Sequence, residues 1–314
     1  MSVLRRRVPV GGCRDGHWDA NRTVAPSGKT SMSPPPNGFG GDAIAIGRRP
    51  APYAKAEPEN YRSPDGKVYA VPVREVGGSS GRLAEAIYRA FEILVALIGL
   101  TAGLPLMLIL GAVIRFDSPG PALFFHKRPA RSTIMRGRDI SGRADLRLPP
   151  GGCEQDAWYY VPSYFTLVKL RTMHCDARMR FPQMYAYKYA PGEFHRQYPT
   201  LRNDPRVTRV GRVLRKLSVD ELPNLWSVLI GDMRLVGPRP EAPEVLQYYT
   251  PDEMYKFVCK PGITGLAQIN GRGLLNWGET LAWDLHYVHT RSVELDLKII
   301  FKTLLHVIVR KGAF

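Results

Sequence analysis

Apolar and polar residues are arranged in four different ways along the chain, and each arrangement predicts a different kind of segment. Residues 1–80 are rich in Pro and Gly without apolar periodicity, which predicts a disordered tail. Residues 81–118 contain a long uncharged run, which predicts a membrane segment. Residues 119–160 are basic and have no apolar stripe, which predicts an exposed loop, whereas residues 161–314 have the composition of a folded domain.

The uncharged run extends over 22 residues, from Ile93 to Ile114. At a rise of about 1.5 Å per residue it can cross roughly 30 Å of hydrocarbon, so a simple spanning helix is one interpretation. Pro105 lies near its middle and removes a backbone hydrogen bond, and basic residues flank the run on both sides. These two features favour a re-entrant helix that breaks at Pro105 and leaves the membrane by the face through which it entered.

The folded segment mixes helix and strand patterns without a regular alternation of the two, which predicts a small α+β domain. The patterns predict a strand in 164–173, a turn and a basic helix in 203–217, a short strand in 233–237, a glycine-punctuated loop in 259–272 and an amphipathic helix over the last 20 residues. The last helix is suited to packing against a core or to lying on a membrane.

Two adjacent carboxylates, Asp220 and Glu221, stand in the sequence SVDELPNL. Ser218 and Glu221 match a capping box, but Pro223 would then remove a hydrogen bond from the body of the helix. If Asp220 is the N-cap instead, that conflict disappears. The local pattern therefore predicts Asp220 at the mouth of a helix with its oxygens pointing outward, and helix capping alone is one explanation of the pair.

The charge balance predicts an anionic partner, because 44 Lys and Arg residues against 28 Asp and Glu give a formal net charge of +16. Nucleic acid, anionic lipid and phosphorylated small molecules all fit that charge. Cations surround the acidic pair along the sequence, among them Lys169, Arg171, Arg215 and Arg239. Adjacent carboxylates among cations suit a Mg²⁺ site that serves a phosphate substrate, and an aspartate can also attack phosphorus itself.

Four longer motifs resemble one known family: KLRTM (169–173), NDPRVTRVGRVLRK (203–216), LSVDELPNLWSVLIGDMRLVGPRP (217–240) and PGITGLAQINGR (261–272). Together they are similar to the bacterial sugar transferases, the monotopic polyprenyl-phosphate hexose-1-phosphate transferases that start exopolysaccharide, capsule and O-antigen synthesis. The resemblance extends from about residue 82 to the C-terminus, and the long central motif is its most specific part.

This resemblance implies that a hexose 1-phosphate moves from a UDP-hexose to undecaprenyl phosphate, that UMP is released, and that a covalent aspartyl phospho-sugar forms on the way. It implies that Asp220 is the nucleophile and that Glu221, together with Asp220, binds Mg²⁺ as the cofactor. The residues that bind phosphate or nucleotide groups would be Lys169, Arg171, Arg215 and Arg239.

The resemblance also implies a location and a set of partners. The catalytic domain would face the cytoplasm at the bacterial inner membrane, held there by the proline-broken re-entrant helix and by amphipathic interfacial helices, with the bilayer as a partner. The choice between galactose, glucose and another sugar stays open, and so does the oligomeric state, a homo-oligomer being one alternative.

Two other classes of function compete with the transferase. A membrane-bound Mg²⁺-dependent phosphodiesterase or pyrophosphatase would use the same carboxylates and cations, with a base to activate water. A non-catalytic basic scaffold would use the positive charge to contact lipid. Nucleic acid is disfavoured as a partner, because the aromatic residues are scattered and no helix-turn-helix or zinc-finger spacing is present.

Overall fold

The structure, a computed structural model, describes residues 67–74, 80–149, 151–190, 193–198, 203–271 and 274–309, all within one compact unit, Gly47–Phe314. The predicted tail therefore falls outside the described residues up to position 66. The helices are α1 Arg82–Asp117, α2 Gly137–Ile140, α3 Ala177–Arg180, α4 Arg209–Leu217, α5 Leu225–Ile230, α6 Leu266–Gly271, α7 Trp277–Thr290 and α8 Val293–Val309.

The strands of the described residues are short and form four small sheets. They are β1 Val68–Tyr69, β2 Val71–Pro72, β3 Leu123–Pro129, β4 Thr133–Arg136, β5 Leu146–Arg147, β6 Trp158–Val161, β7 Tyr164–Leu170, β8 Arg234–Val236 and β9 Gly262–Thr264. β3 pairs with β7 and β6 lies between β2 and β4, all antiparallel, whereas β1 with β5 and β8 with β9 are parallel pairs. The mixture of helix and strand confirms the predicted α+β class.

The apolar run forms the 36-residue helix α1, which continues through Pro105 instead of ending there. The helix is therefore not divided at the proline as the sequence predicted, and the re-entrant arrangement stays a prediction. Among the described residues, α1 is the one helix long and apolar enough to cross a membrane, judged by length and composition. The main chain leaves the helix at Ser118, whose backbone N–H donates to the Ile114 carbonyl.

The strand in 164–173, the basic helix in 203–217, the strand in 233–237 and the C-terminal helix are confirmed as β7, α4, β8 and α8. The glycine-rich segment 259–272 differs from the predicted loop, because it contains β9 and α6. β9 lies unusually close to the chain that follows β8: a Cβ on Gly262 would be 2.0 Å from the Gly237 nitrogen. Only glycine permits that approach, so Gly237 and Gly262 allow β8 and β9 to pair closely and do not mark a loop.

A small β module differs most from the sequence prediction. Strands β1 and β2, within the segment predicted as tail, pair with β5 and β6, within the segment predicted as an irregular loop. Ala70, between β1 and β2, packs with Ile140 and Tyr159, whereas Val68, Tyr69 and Val71 pack in the main core. Residues 68–72 and 133–161 therefore form structure of their own, because each supplies the hydrogen-bonding edge and the apolar side chains that the other lacks.

Candidate active site

The acidic pair stands at a sharp reversal of the chain. α4 ends at Leu217, and Ser218 adopts a left-handed conformation with φ 59° that turns the chain into a 3-10 helix, Val219–Asn224. Asp220 lies inside that helix and is only 7% exposed, so the predicted outward-pointing N-cap at this residue is wrong. Ser218 makes no side-chain capping bond either, and the capping explanation of the pair therefore loses its support.

Glu221 is held by the strand that carries the KLRTM motif. Lys169, the last residue but one of β7, places its Nζ 2.5 Å from Glu221 Oε1. Both side chains are about three-quarters buried, so the ion pair is partly shielded from water and salt. β7 owes its position to β3, with which it pairs along seven consecutive residues.

Burial and the adjacent Glu221 carboxylate raise the pKa of Asp220 above the usual aspartate value. Lys169 and Arg215 oppose that rise by favouring the ionised form. The result is a poorly solvated carboxylate with a cation on either side. Such a group can act as a nucleophile toward phosphorus, while the cations bind the phosphate oxygens.

Arg215 reaches this site from the last turn of α4. Its Nε donates to Thr172 Oγ1 over 2.9 Å, which fixes the guanidinium beside the end of β7. One turn earlier, a Cβ on Gly211 would be 2.1 Å from the Thr172 carbonyl oxygen, so α4 lies against the backbone there. Burial lowers the pKa of Arg215, and Arg206 and Arg239 contribute to that lowering as nearby like charges.

Arg171 lies in a different setting from the one predicted. Its guanidinium donates to the carbonyls of Pro119 at 2.8 Å and Ser118 at 2.7 Å, and so fastens the end of α1 to the end of β7. The side chain is buried, and its Nε has no hydrogen-bond partner among the described residues. These contacts give Arg171 a structural role, and its predicted role in phosphate binding stays a prediction.

Arg239 is exposed in the loop after β8, within electrostatic range of Arg215. That loop is fixed to β9, because the Gly237 N–H donates to the Thr264 carbonyl over 2.9 Å. Arg239 thus remains a candidate for the nucleotide or phosphate end of the site.

Sequence reasoning missed a further cation, Arg128 on β3. Among the described residues its Nε is buried without a hydrogen-bond partner, and Arg239 lies within electrostatic range. Burial lowers the pKa of Arg128 and Arg239 contributes to that lowering, whereas the carboxylates of Glu241 and Glu244 oppose it. In the sequence it was visible only as one of several basic residues that follow the apolar run.

The carboxylates fit a metal ion that arrives with its substrate. No group of three or more His, Cys, Asp or Glu suited to a metal ion occurs in the part of the chain that the structure describes. Mg²⁺ commonly takes one or two protein carboxylates and completes its shell with water and substrate phosphates. Asp220 and Glu221, which repel each other, offer that donor set and no more.

The sequence of the chain is similar to those of proteins from one known family. The family described as bacterial sugar transferase matches residues 159–310. The chain is 32% identical over 242 residues, 77% of its length, to the exopolysaccharide production protein ExoY of Sinorhizobium fredii, of which 91% is covered. The chain belongs to the bacterial sugar transferase family. Membership confirms the resemblance carried by the four motifs, and with it the expectation of a phosphoglycosyl transferase.

Two further relatives of this bacterial sugar transferase have names that state a reaction. The UDP-glucose:undecaprenyl-phosphate glucose-1-phosphate transferase of Caulobacter vibrioides is 36% identical over 249 residues, 76% of either chain. The undecaprenyl-phosphate galactose phosphotransferase of Salmonella typhimurium is 32% identical over 234 residues, 74% of this chain and 43% of that protein. One name specifies glucose and the other galactose, so similarity at this level does not select the sugar.

Proposed function

We propose that this protein transfers a hexose 1-phosphate from a UDP-hexose to undecaprenyl phosphate and releases UMP. The observation that carries the proposal is the setting of Asp220, a buried carboxylate with a raised pKa, flanked by Lys169 and Arg215. The names of the relatives from Caulobacter and Salmonella support the two substrates. A scaffold would have no use for a buried acid at such an electrostatic cost.

In the first step the Asp220 carboxylate attacks the phosphorus that carries the sugar. A bond forms between carboxylate oxygen and phosphorus, the diphosphate bond breaks, and UMP leaves with the electron pair. Lys169 and Arg215 stabilise the charge that develops on the phosphoryl oxygens, and Arg239 binds the departing nucleotide phosphate.

In the second step a phosphate oxygen of undecaprenyl phosphate attacks the same phosphorus. The bond between the Asp220 carboxylate oxygen and phosphorus breaks. The Asp220 carboxylate is regenerated, and the product is an undecaprenyl diphosphate sugar. Because UMP has already left, the site holds one anionic substrate at a time. Asp220 and Glu221 would hold Mg²⁺, which when bound neutralises phosphate oxygens.

The contacts of α1 support a monotopic placement. Gly99 and Gly103 lie against Leu225 and Leu222, beside the acidic pair, and Ile114 packs on Leu214 of α4. If α1 crossed the bilayer upright, these partners would lie at the depth of the hydrocarbon. We therefore propose that α1 enters and leaves by the cytoplasmic face of the inner membrane, with the catalytic part alongside it outside the hydrocarbon.

Exposed apolar side chains mark the surface that would meet lipid. Besides those on α1, the described residues include Val213, Leu217, Trp226, Ile230, Leu297, Phe301 and Leu304 on α4, α5 and α8. Trp226, which is 52% exposed, suits the headgroup level, where tryptophan is enriched. This surface would bring the acidic pair to the height of the lipid phosphate.

The decisive experiment measures UMP release from a panel of UDP-hexoses by the purified full-length protein in detergent with Mg²⁺, with and without undecaprenyl phosphate. The two-step route predicts about one UMP per protein without the lipid and continued turnover with it. Asp220→Asn should abolish both, whereas the control Asp252→Asn changes an exposed aspartate and should alter neither. Continued turnover without lipid would identify a hydrolase instead, and activity in Asp220→Asn would overturn the assignment of the nucleophile.

A further inference from the structure

A cavity of about 280 Å³ lies beside the first part of α1. It is lined by five cations, which come from five separate parts of the chain: Arg89, Arg131, Arg234, Lys260 and Arg291. The resemblance to the family assigns no function to this cavity. Arg131 and Arg291 lie outside all four motifs that carry the resemblance.

The cavity is distinct from the acidic pair, because the two lie at opposite ends of α5. Arg89 donates to the Val228 carbonyl over 2.7 Å, and Lys260 Nζ donates to the Gly231 carbonyl over 2.5 Å. Both contacts are at the C-terminal end of α5. Asp220 and Glu221 lie in the 3-10 helix that precedes the N-terminal end of α5. α5 has 6 residues, and at about 1.5 Å per residue its two ends are about 9 Å apart.

Two carboxylates, Glu85 and Glu92, also line the cavity, and both are fully occupied. Glu92 accepts hydrogen bonds from Arg234 and from the Leu235 backbone N–H, and Glu85 accepts from Arg234 and Arg291. Five cations against two carboxylates leave three positive charges in excess. Glu85 and Glu92 therefore hold the cations of the lining in position but do not neutralise their total charge.

Arg131 accounts for one of the uncompensated charges. It is exposed, and no carboxylate of the described residues forms an ion pair with it. The neighbouring positive charges also affect Lys260. Burial lowers the pKa of its ammonium group, and Arg89, Arg131 and Arg234 lower it further. Concentrated cations inside a low-dielectric recess attract an anion of high charge.

We propose that this cavity binds a phosphate group. A phosphate monoester or free phosphate carries close to two negative charges and offers several acceptor oxygens to Arg forks and a Lys ammonium, which matches the lining better than a single carboxylate does. The phosphate comes either from solution or from the headgroup of an anionic lipid. The exposed apolar residues Leu83 and Ile87, on the same part of α1, place the cavity near a lipid surface. This inference does not depend on the proposed transfer reaction.

Cys259 provides a local probe, because the residue lines the cavity and is half-buried. The full-length protein is treated with the neutral reagent iodoacetamide, and alkylation is quantified for each cysteine peptide by mass spectrometry. Inorganic phosphate is titrated in one arm. In the other, the protein is placed in nanodiscs of phosphatidylglycerol or phosphatidylcholine without phosphate. Cys175, which is exposed outside the cavity, is the internal control.

We expect phosphate, phosphatidylglycerol or both to slow alkylation of Cys259 several-fold without affecting Cys175. Protection by phosphate alone identifies a soluble ligand, and protection by phosphatidylglycerol identifies a headgroup. Arg131→Ala should raise the half-maximal phosphate concentration about tenfold, as for the loss of one charge-assisted hydrogen bond. Arg138→Ala, which removes an equally exposed arginine seven residues further on, should not.

Two results would overturn the proposal. One is a Cys259 rate that neither phosphate nor phosphatidylglycerol changes. The other is an equal response of Arg131→Ala and Arg138→Ala, which would mean that the effect reflects overall charge. Arg131→Gln, which keeps the aliphatic stem, serves as a second variant if truncation to alanine disturbs folding. UMP release measured in parallel keeps this outcome separate from that of the proposed transfer reaction.

Discussion

Gly211→Ala tests whether α4 must lie directly on the end of β7 for the acidic pair to work. The new methyl carbon would stand 2.1 Å from the Thr172 carbonyl oxygen, far inside the contact distance of carbon and oxygen. The obstacle is backbone that also accepts a hydrogen bond from the Thr208 N–H, so it cannot rotate away as a side chain would. We expect α4 to move by about 1 Å, and Arg215 to move with it.

The expected loss is larger in activity than in stability. Overpacking costs about 1–3 kcal/mol, but alanine favours a helix by about 1 kcal/mol relative to glycine, so the net loss of unfolding free energy is about 0–2 kcal/mol. Displacement of a charge-stabilising arginine by about 1 Å costs on the order of 10²-fold in rate. The variant should therefore be folded and nearly inactive.

The measurement is kcat/KM for UMP release with undecaprenyl phosphate, together with thermal unfolding. Gly142→Ala is the control, since a Cβ at Gly142 meets nothing within 4 Å. Thr172→Val removes the hydroxyl that holds Arg215 Nε without adding a clash, and it should lose about tenfold. Wild-type kcat/KM in a folded Gly211→Ala variant would refute the requirement for close packing.

Three further predictions concern single contacts. Lys169→Met should lower the free energy of unfolding by about 1–2 kcal/mol and reduce transfer strongly, because Glu221 loses its partly buried partner; Lys298→Met, in an exposed pair with Glu294, should change neither quantity. Arg171→Lys should destabilise by about 2–3 kcal/mol, since an ammonium cannot reproduce the fork to the Ser118 and Pro119 carbonyls, and an unchanged unfolding temperature would contradict this. Burial raises the pKa of Asp296 to about 6, so the folded protein holds that proton more tightly than the unfolded chain, and this contribution to stability is lost as pH rises through 6. Asp296→Asn keeps an acceptor for the Tyr287 hydroxyl and should become more stable than wild type above pH 6 but not near pH 4; parallel unfolding curves from pH 4 to 8 would contradict the assignment.

Elements with a strong local pattern could be predicted from the sequence, whereas contacts between distant segments could not. β7 alternates exposed and buried residues over its first four positions, and α4 carries its N-cap Thr208 in the sequence, so both are visible locally. The two-residue strands β1 and β2 have no such signal, since their partners are about 75–90 residues away. The local pattern identified Asp220 and Glu221 and the motif resemblance supplied their expected roles, but neither could distinguish Lys169, which contacts Glu221, from Arg171, which contacts carbonyls.

The apolar helix α1 directly supports the segments that carry the candidate active site. A Cβ on Gly99 would be 2.6 Å from Leu225 Cδ1, so the Leu225 side chain at the start of α5 packs directly on the backbone of α1, just beyond the acidic pair. At its far end, Arg171 ties the carbonyls after α1 to the strand that carries Lys169. The start of α5 and the end of β7, which lie on either side of the acidic pair, therefore both contact α1 or the residues that follow it. Removing α1 to obtain a soluble enzyme would uncover Leu222 and Leu225 and free the end of β7, so loss of activity in such a truncation would follow from geometry alone, even with soluble substrates.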